Sequence, residues 1–172
     1  MAKNTAVNPK VVKAARDMSA RLTKRNIPHA LIGALAFGAH GYERATGDVD
    51  FLVTADVADE IAGDSLGGEV WGKTVKVGGI DIDLVFPSSQ QEFLEADLRR
   101  AKIIDRIPVL AIEPLIYMKM VAGRAKDNAD IIELLKRGKV DKKRVVAYLN
   151  RHDSDKVEDF NSIVMMSELE PD

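Results

Sequence analysis

The chain has no cysteine, so disulfides, thiolate metal sites and cysteine nucleophiles are excluded. Aromatic residues are scarce, 5% of the chain with a single tryptophan, Trp71. Trp71 and Tyr117 stand alone, without the pattern of a platform for stacking single-stranded bases. Neither sign of charge dominates: 25 Lys and Arg stand against 27 Asp and Glu, a net charge of −2. Nothing in that balance demands a nucleic-acid or membrane partner. No apolar run approaches membrane-spanning length, and "MAKNTAVNPKVVKAAR" lacks the apolar core of a signal peptide. A soluble, cytoplasmic protein with no membrane partner is the expectation.

What is present is a chain of 172 residues, 46% hydrophobic and 30% charged, which suits one domain or a small domain with a helical appendage. Asn8-Pro9 offers an N-cap followed by proline at the first helical position. Val11, Val12, Ala15, Met18 and Leu22 then recur at helical spacing until Asn26 and Pro28. "HALIG" reads as a short strand, "ALAFGAHGYE" as a small-residue helix or loop, and "DVDFLV" as a strand. Asp56 is expected to cap a helix through "VADEIAGDSL", stopped at Gly67-Gly68. "EVWGKTVKV" and "IDIDLVF" look like two strands joined by a tight Gly78-Gly79 turn. Ser88 and Gln91 make a capping box for "QQEFLEADLRRA", and "IPVLAI" is one more strand.

From Glu113-Pro114 onward the signals are helical. They run through "PLIYMKMVAG", through "DNADIIELLKR" stopped by Gly138, and through "KKRVVAYLNRH" capped by Asp141. The segment after Asp153 is acidic, and its last residues read as loose. This order predicts an α+β fold, a small mixed sheet flanked by helices with a helical C-terminal part. The divisions are residues 1–110 for the core, 111–165 for the helical part packed on it, and 166–172 for a flexible tail.

Two of these strands carry aspartates where strands are usually depleted of them. Strand residues alternate faces, so Asp48 and Asp50 share one face while Val49, Phe51 and Val53 fill the other. Asp81 and Asp83 repeat the arrangement against Ile80, Ile82, Leu84 and Phe86. One such pair reads as edge charge facing solvent. Two pairs, each set in an apolar run, favour a cation held between carboxylates, whose mutual repulsion would otherwise destabilise the fold. A divalent ion with positions left for water and substrate is the usual apparatus for handling phosphates.

Upstream, Gly33 ends a strand and opens a small-residue stretch whose backbone N–H groups can receive a triphosphate. Gly33 followed fifteen positions later by Asp48-x-Asp50 resembles the signature of the DNA polymerase beta-like nucleotidyltransferase superfamily. "HGYERATGDVDFLV" and "KMVAGRAKDNADIIELL" are similar to stretches of the abortive-infection and type IV toxin nucleotidyltransferases and their bacterial relatives. The likeness covers about residues 28–136.

That resemblance implies the nucleotidyltransferase fold, with Asp48 and Asp50 holding Mg²⁺ or Mn²⁺. A third aspartate joins them from the next paired strand, with Asp83 matching better by position than Asp81. In the family this third carboxylate activates the incoming hydroxyl. Lys119 and the Lys126-Asp127-x-x-Asp130 element would complete a site for an NTP such as ATP, with Arg124, Lys126 and Lys119 as a cationic wall for the leaving pyrophosphate. Arg44 and Thr46 resemble the R-x-T lead-in of these proteins and would orient the loop. Ala34 is a departure: the superfamily usually has Gly or Ser after the first glycine. Alanine leaves the backbone accessible but removes a hydroxyl.

The expected activity is metal-dependent transfer of an NMP from an NTP to a hydroxyl of RNA, a protein or a small molecule. The second expectation is a catalytically weak interaction module of a toxin–antitoxin type system. Lys119 also fits a lysine snorkelling from an amphipathic helix, and Asp127 and Asp130 fit first-turn helix acids. His40 is assigned no chemistry. The basic run at 136–144 reads as a solvated helix end, with an RNA-binding edge as the alternative.

Overall fold

The computed structural model describes residues 7–54, 69–71 and 74–171. The first helix, α1 (Pro9–Lys24), begins as its sequence dictates: the Asn8 side chain accepts the Lys10 N–H at 3.0 Å. Its apolar stripe of Val11, Ala15, Met18 and Leu22 is fully buried. Asn26, at φ 56°, turns the chain out of the helix and into β1 (His29–Ile32). Then follow α2 (Gly33–Ala39), β2 (Val49–Val53), β3 (Glu69–Trp71), β4 (Thr74–Val77) and β5 (Ile80–Val85). A 3₁₀ turn at Ser89–Gln91 leads to α3 (Phe93–Arg99), β6 (Lys102–Ile104) and β7 (Ile107–Val109).

The seven described strands form one sheet in the order β3-β4-β5-β2-β1-β7-β6. It is mixed: β5 runs parallel to β2 and β7 parallel to β1, while β1–β2, β3–β4, β4–β5 and β6–β7 are antiparallel. Alternation assigns Leu31, Phe51, Ile82, Leu84, Val75 and Val109 to one face, and all of them are buried. α1 packs against β2, β4, β5 and β7 and completes that core. On the same face the His29 ring meets Phe51 edge-on at 5.6 Å. A ring nitrogen donates to the Ile27 carbonyl, and the other bonds the Ser19 hydroxyl on α1 at 2.7 Å. The opposite face carries Asp50, Leu52, Asp83 and Thr74, and α2 and α3 pack against β1 and β2.

Two compact units are distinguished, residues 7–39 with 43–110, and residues 40–42 with 111–171. The second is helical: α4 (Ile112–Ala122), α5 (Ala125–Arg137), α6 (Lys142–His152) and α7 (Lys156–Leu169). Gly123 closes α4 in the left-handed conformation, φ 65°. Asp141 caps α6 by accepting the Lys143 and Arg144 N–H groups. Among the described residues no helix is long and apolar enough to cross a membrane.

Two expectations are corrected and one strand is added. "EVWGKTVKV" is not one strand: β3 and β4 pair antiparallel, with Trp71 opposite Thr74. The strand through Ile107 has a partner, β6, reached through Asp105 and Arg106, both at positive φ. The end of the chain is no loose tail from 166, since α7 continues through Leu169 and buries Phe160, Ile163 and Ser167. The helix expected through "VADEIAGDSL" lies outside the described residues.

Candidate metal centre

Register builds the site. The Gly78-Gly79 turn, with φ of 57° and 78°, is the double-positive geometry of a tight hairpin. It sets Val77 opposite Ile80, and counting outward sets Lys76 opposite Asp81 and Thr74 opposite Asp83. The parallel pairing of β5 with β2 then aligns Asp83 with Asp50. On the far side Asp50 faces Ile32 of β1, the residue before Gly33. One transverse row therefore reads Ile32, Asp50, Asp83, Thr74 across four strands. Asp48 stands immediately before β2.

One carboxylate oxygen from each of Asp48, Asp50 and Asp83 lies within 4.8 Å of the other two. Like charges directly opposite on neighbouring strands destabilise a sheet. A pair of unit charges about 4 Å apart near a protein surface repels by about 4 kcal/mol. A magnesium-sized ion with oxygens at about 2.1 Å spans about 4.2 Å across its coordination sphere, which the separation of these oxygens accommodates. The donor set is all oxygen, as hard divalent cations require. These residues fit such an ion.

The surroundings of each carboxylate are specific. Thr46 Oγ1 donates to Asp48 Oδ1 at 2.8 Å, and Thr74 Oγ1 donates to Asp83 Oδ1 at 2.6 Å. Gly33 sits in the left-handed region at φ +69°, and a Cβ there would run into the Asp50 carboxylate. Glycine is thus required at 33 twice over, for backbone conformation and for room beside the aspartate. Ala34 is buried. Asp81 shares a face with Asp83 but is not among the clustered carboxylates. It is exposed and pairs with Lys76, which lies opposite it, at 3.4 Å.

A second grouping lies within the helical unit. Lys119 Nζ on α4 donates to Asp127 Oδ1 and to Asp130 Oδ2 of α5, each at 2.9 Å. Arg124 grips Asp127 with Nε at 2.6 Å and Nη2 at 3.1 Å, and its backbone N–H donates to the same carboxylate at 3.2 Å. Burial raises the Asp127 pKa, but the hydrogen bonds from Arg124 and Lys119 outweigh it and hold the carboxyl at about 2. Asp127 is therefore ionised at any ordinary pH, and it stitches the start of α5 to α4. Lys126 is exposed on the first turn of α5 and Arg44 is half-buried.

The sequence reading missed Thr74. The signal was available: a two-glycine turn fixes the hairpin register, and residues 74 and 83 are equidistant from it.

No protein-family model matches the chain, and none of the curated proteins matches it. Solved structures do. A candidate nucleotidyltransferase from Thermotoga maritima is 16% identical, over 79% of this chain and 99% of that one, with a TM-score of 0.52. An antigenic nucleotidyltransferase-like protein from Paracoccidioides brasiliensis is 17% identical, over 88% and 92%, with a TM-score of 0.51. A candidate nucleotidyltransferase from H. pylori is 15% identical, over 95% and 85%, with a TM-score of 0.50. At these identities the likeness concerns architecture, and the architecture of this chain is the nucleotidyltransferase fold.

Proposed function

We propose that this protein is a metal-dependent nucleotidyltransferase that moves an NMP from an NTP onto a hydroxyl of RNA, a protein or a small molecule. The observation that carries the reading is the convergence of Asp48, Asp50 and Asp83 on the sheet of this fold. Mg²⁺ or Mn²⁺ held by the three aspartates would neutralise the triphosphate and polarise its α-phosphoryl group. Asp83 is the residue proposed to take the acceptor's proton. The acceptor oxygen then bonds to the α-phosphorus as the bond to pyrophosphate breaks. The backbone at Gly33 and Ala34 is proposed to receive the triphosphate, with Arg44 and Thr46 shaping the loop beside it. Within the helical unit, Arg124 and Lys126 are proposed as phosphate-contacting cations, and Asp127 orients Arg124.

A second reading is favoured by Lys119, whose ammonium is already held between Asp127 and Asp130. A lysine so engaged contributes less to a phosphate, which fits a catalytically weak interaction module of a toxin–antitoxin type system.

Thermal shift with each NTP, with and without Mg²⁺, followed by incubation of labelled NTPs with total RNA or lysate, separates the two. The enzyme reading expects stabilisation that needs the metal and vanishes in Asp48→Ala and Asp50→Ala, together with label on an acceptor. Absence of any shift at saturating nucleotide and metal, with no label transferred, would leave only the interaction module.

A further inference from the structure

We propose that Thr46 and Thr74 decide which cation the carboxylate cluster accepts, selecting a small octahedral ion over calcium. The inference rests on the metal-centre reading above and adds a role for two hydroxyls outside the ligand set.

A threonine hydroxyl has one proton to donate. Thr74 directs it at Asp83 Oδ1 over 2.6 Å, the distance of a hydrogen bond to a charged acceptor. Thr46 directs it at Asp48 Oδ1 over 2.8 Å, with the Asp48 carbonyl a second acceptor at 3.2 Å. An oxygen holding such a bond has less negative charge to offer a cation, and its lone pair on that side is occupied. Each flanking aspartate is thus reduced to a single-oxygen ligand. An oxygen from each of the three side chains lies within 4.8 Å of the other two, close enough for one ion to join them.

The coordination demands of the candidate ions differ in this respect. Mg²⁺ requires near-ideal octahedral geometry at about 2.0–2.1 Å and keeps several waters. Ca²⁺ collects about 6–8 oxygens at about 2.3–2.6 Å and often takes carboxylates through both oxygens. A site whose outer aspartates cannot turn both oxygens inward withholds ligands from Ca²⁺ and leaves the octahedral ion unaffected. Thr74 is fixed for this purpose by the sheet itself, since its place opposite Asp83 is set by the hairpin register and not by a mobile loop.

The test is Mg²⁺ and Ca²⁺ titration of the full chain, followed by calorimetry and by thermal shift, for the wild type, Thr46→Val, Thr74→Val and Thr74→Ser. The wild type should prefer Mg²⁺. Thr74→Val should leave Mg²⁺ affinity near its wild-type value while Ca²⁺ affinity rises about tenfold or more, the size expected when an outer-shell partner is lost. Thr46→Val should move the ratio in the same direction, and Thr74→Ser should keep the wild-type ratio. Equal loss for both ions in Thr74→Val and Thr46→Val, or no change for either, would overturn the proposal and leave the hydroxyls a structural role. If the wild type binds neither ion and Asp50→Asn titrates identically to it, the metal-centre reading itself has failed. Melting temperatures in chelator identify any variant that has lost its fold, and the half-buried Thr46 in the loop before β2 keeps the comparison available if Thr74→Val unfolds.

Discussion

Gly33 illustrates how a single position can carry both fold and chemistry. Its left-handed φ and the Asp50 carboxylate in the path of any Cβ make two independent demands. Gly33→Ala should cost about 1–2 kcal/mol for the backbone conformation alone, with more from the displaced aspartate. In urea unfolding with and without Mg²⁺, the variant should lose stability in both conditions and also lose most of the metal-dependent increment. A variant that keeps the full increment would mean Asp50 has no part in holding the ion. Asp127 is the contrasting case. It is buried and ionised, held by Lys119, by the Arg124 fork and by a backbone N–H. Removing one partner of such a group leaves a buried charge uncompensated, which is more damaging than never having had the pair. The basic-Asp-x-x-Asp element was visible in the sequence as a motif, but only the structure reveals that Lys119 is its innermost cation.

Among the elements, those with strong local signals were legible. Asn8-Pro9 started α1, Gly78-Gly79 turned β4 into β5, and Asp141 capped α6. The β6–β7 hairpin was not, because its turn residues are Asp105 and Arg106, which announce no left-handed conformation. The same holds for β3, since an apolar-polar alternation over 69–77 does not show that the chain reverses within it. α7 continues past the expected end of the helical part at 165, with Ser167 buried in its last turn and the chain helical to Leu169. That helix packs against α5 and α6, and Phe160 is fully buried. Phe160→Ala should therefore destabilise the protein by about 3–5 kcal/mol, read as a shift in denaturant midpoint. A change within about 0.5 kcal/mol, the range of surface substitutions, would mean that Phe160 does not anchor α7.

At the scale of the whole molecule, a near-neutral charge balance leaves stability against pH to a few buried groups. His29 is buried, and burial lowers its pKa from 6.5, partly offset by its bond to the Ile27 carbonyl. The folded state thus favours the neutral ring, and the unfolded chain binds more protons below about pH 6.5. Stability should fall as the pH drops through that region. A second loss comes between pH 3.8 and about 2, where Asp127 is protonated in the unfolded chain before the folded one. Urea midpoints from neutral pH to about pH 5 should decline for the wild type and flatten for His29→Gln. Identical slopes for the two would remove His29 as the cause. The carboxylate pattern that suggested a cation was legible because strand alternation is strict. Which aspartates converge was not, because that depends on pairing between strands far apart in sequence.

That pairing has an evolutionary corollary. Since every side chain on β4 and β5 is indexed by its distance from one two-glycine reversal, a lone codon gained or lost there would invert which residues share a face. Thr74 and Asp83 would part company together with every apolar neighbour beneath them. A change of length at this bend would therefore disturb more than a single substitution elsewhere in the strands, because it displaces the carboxylate row and the apolar face together.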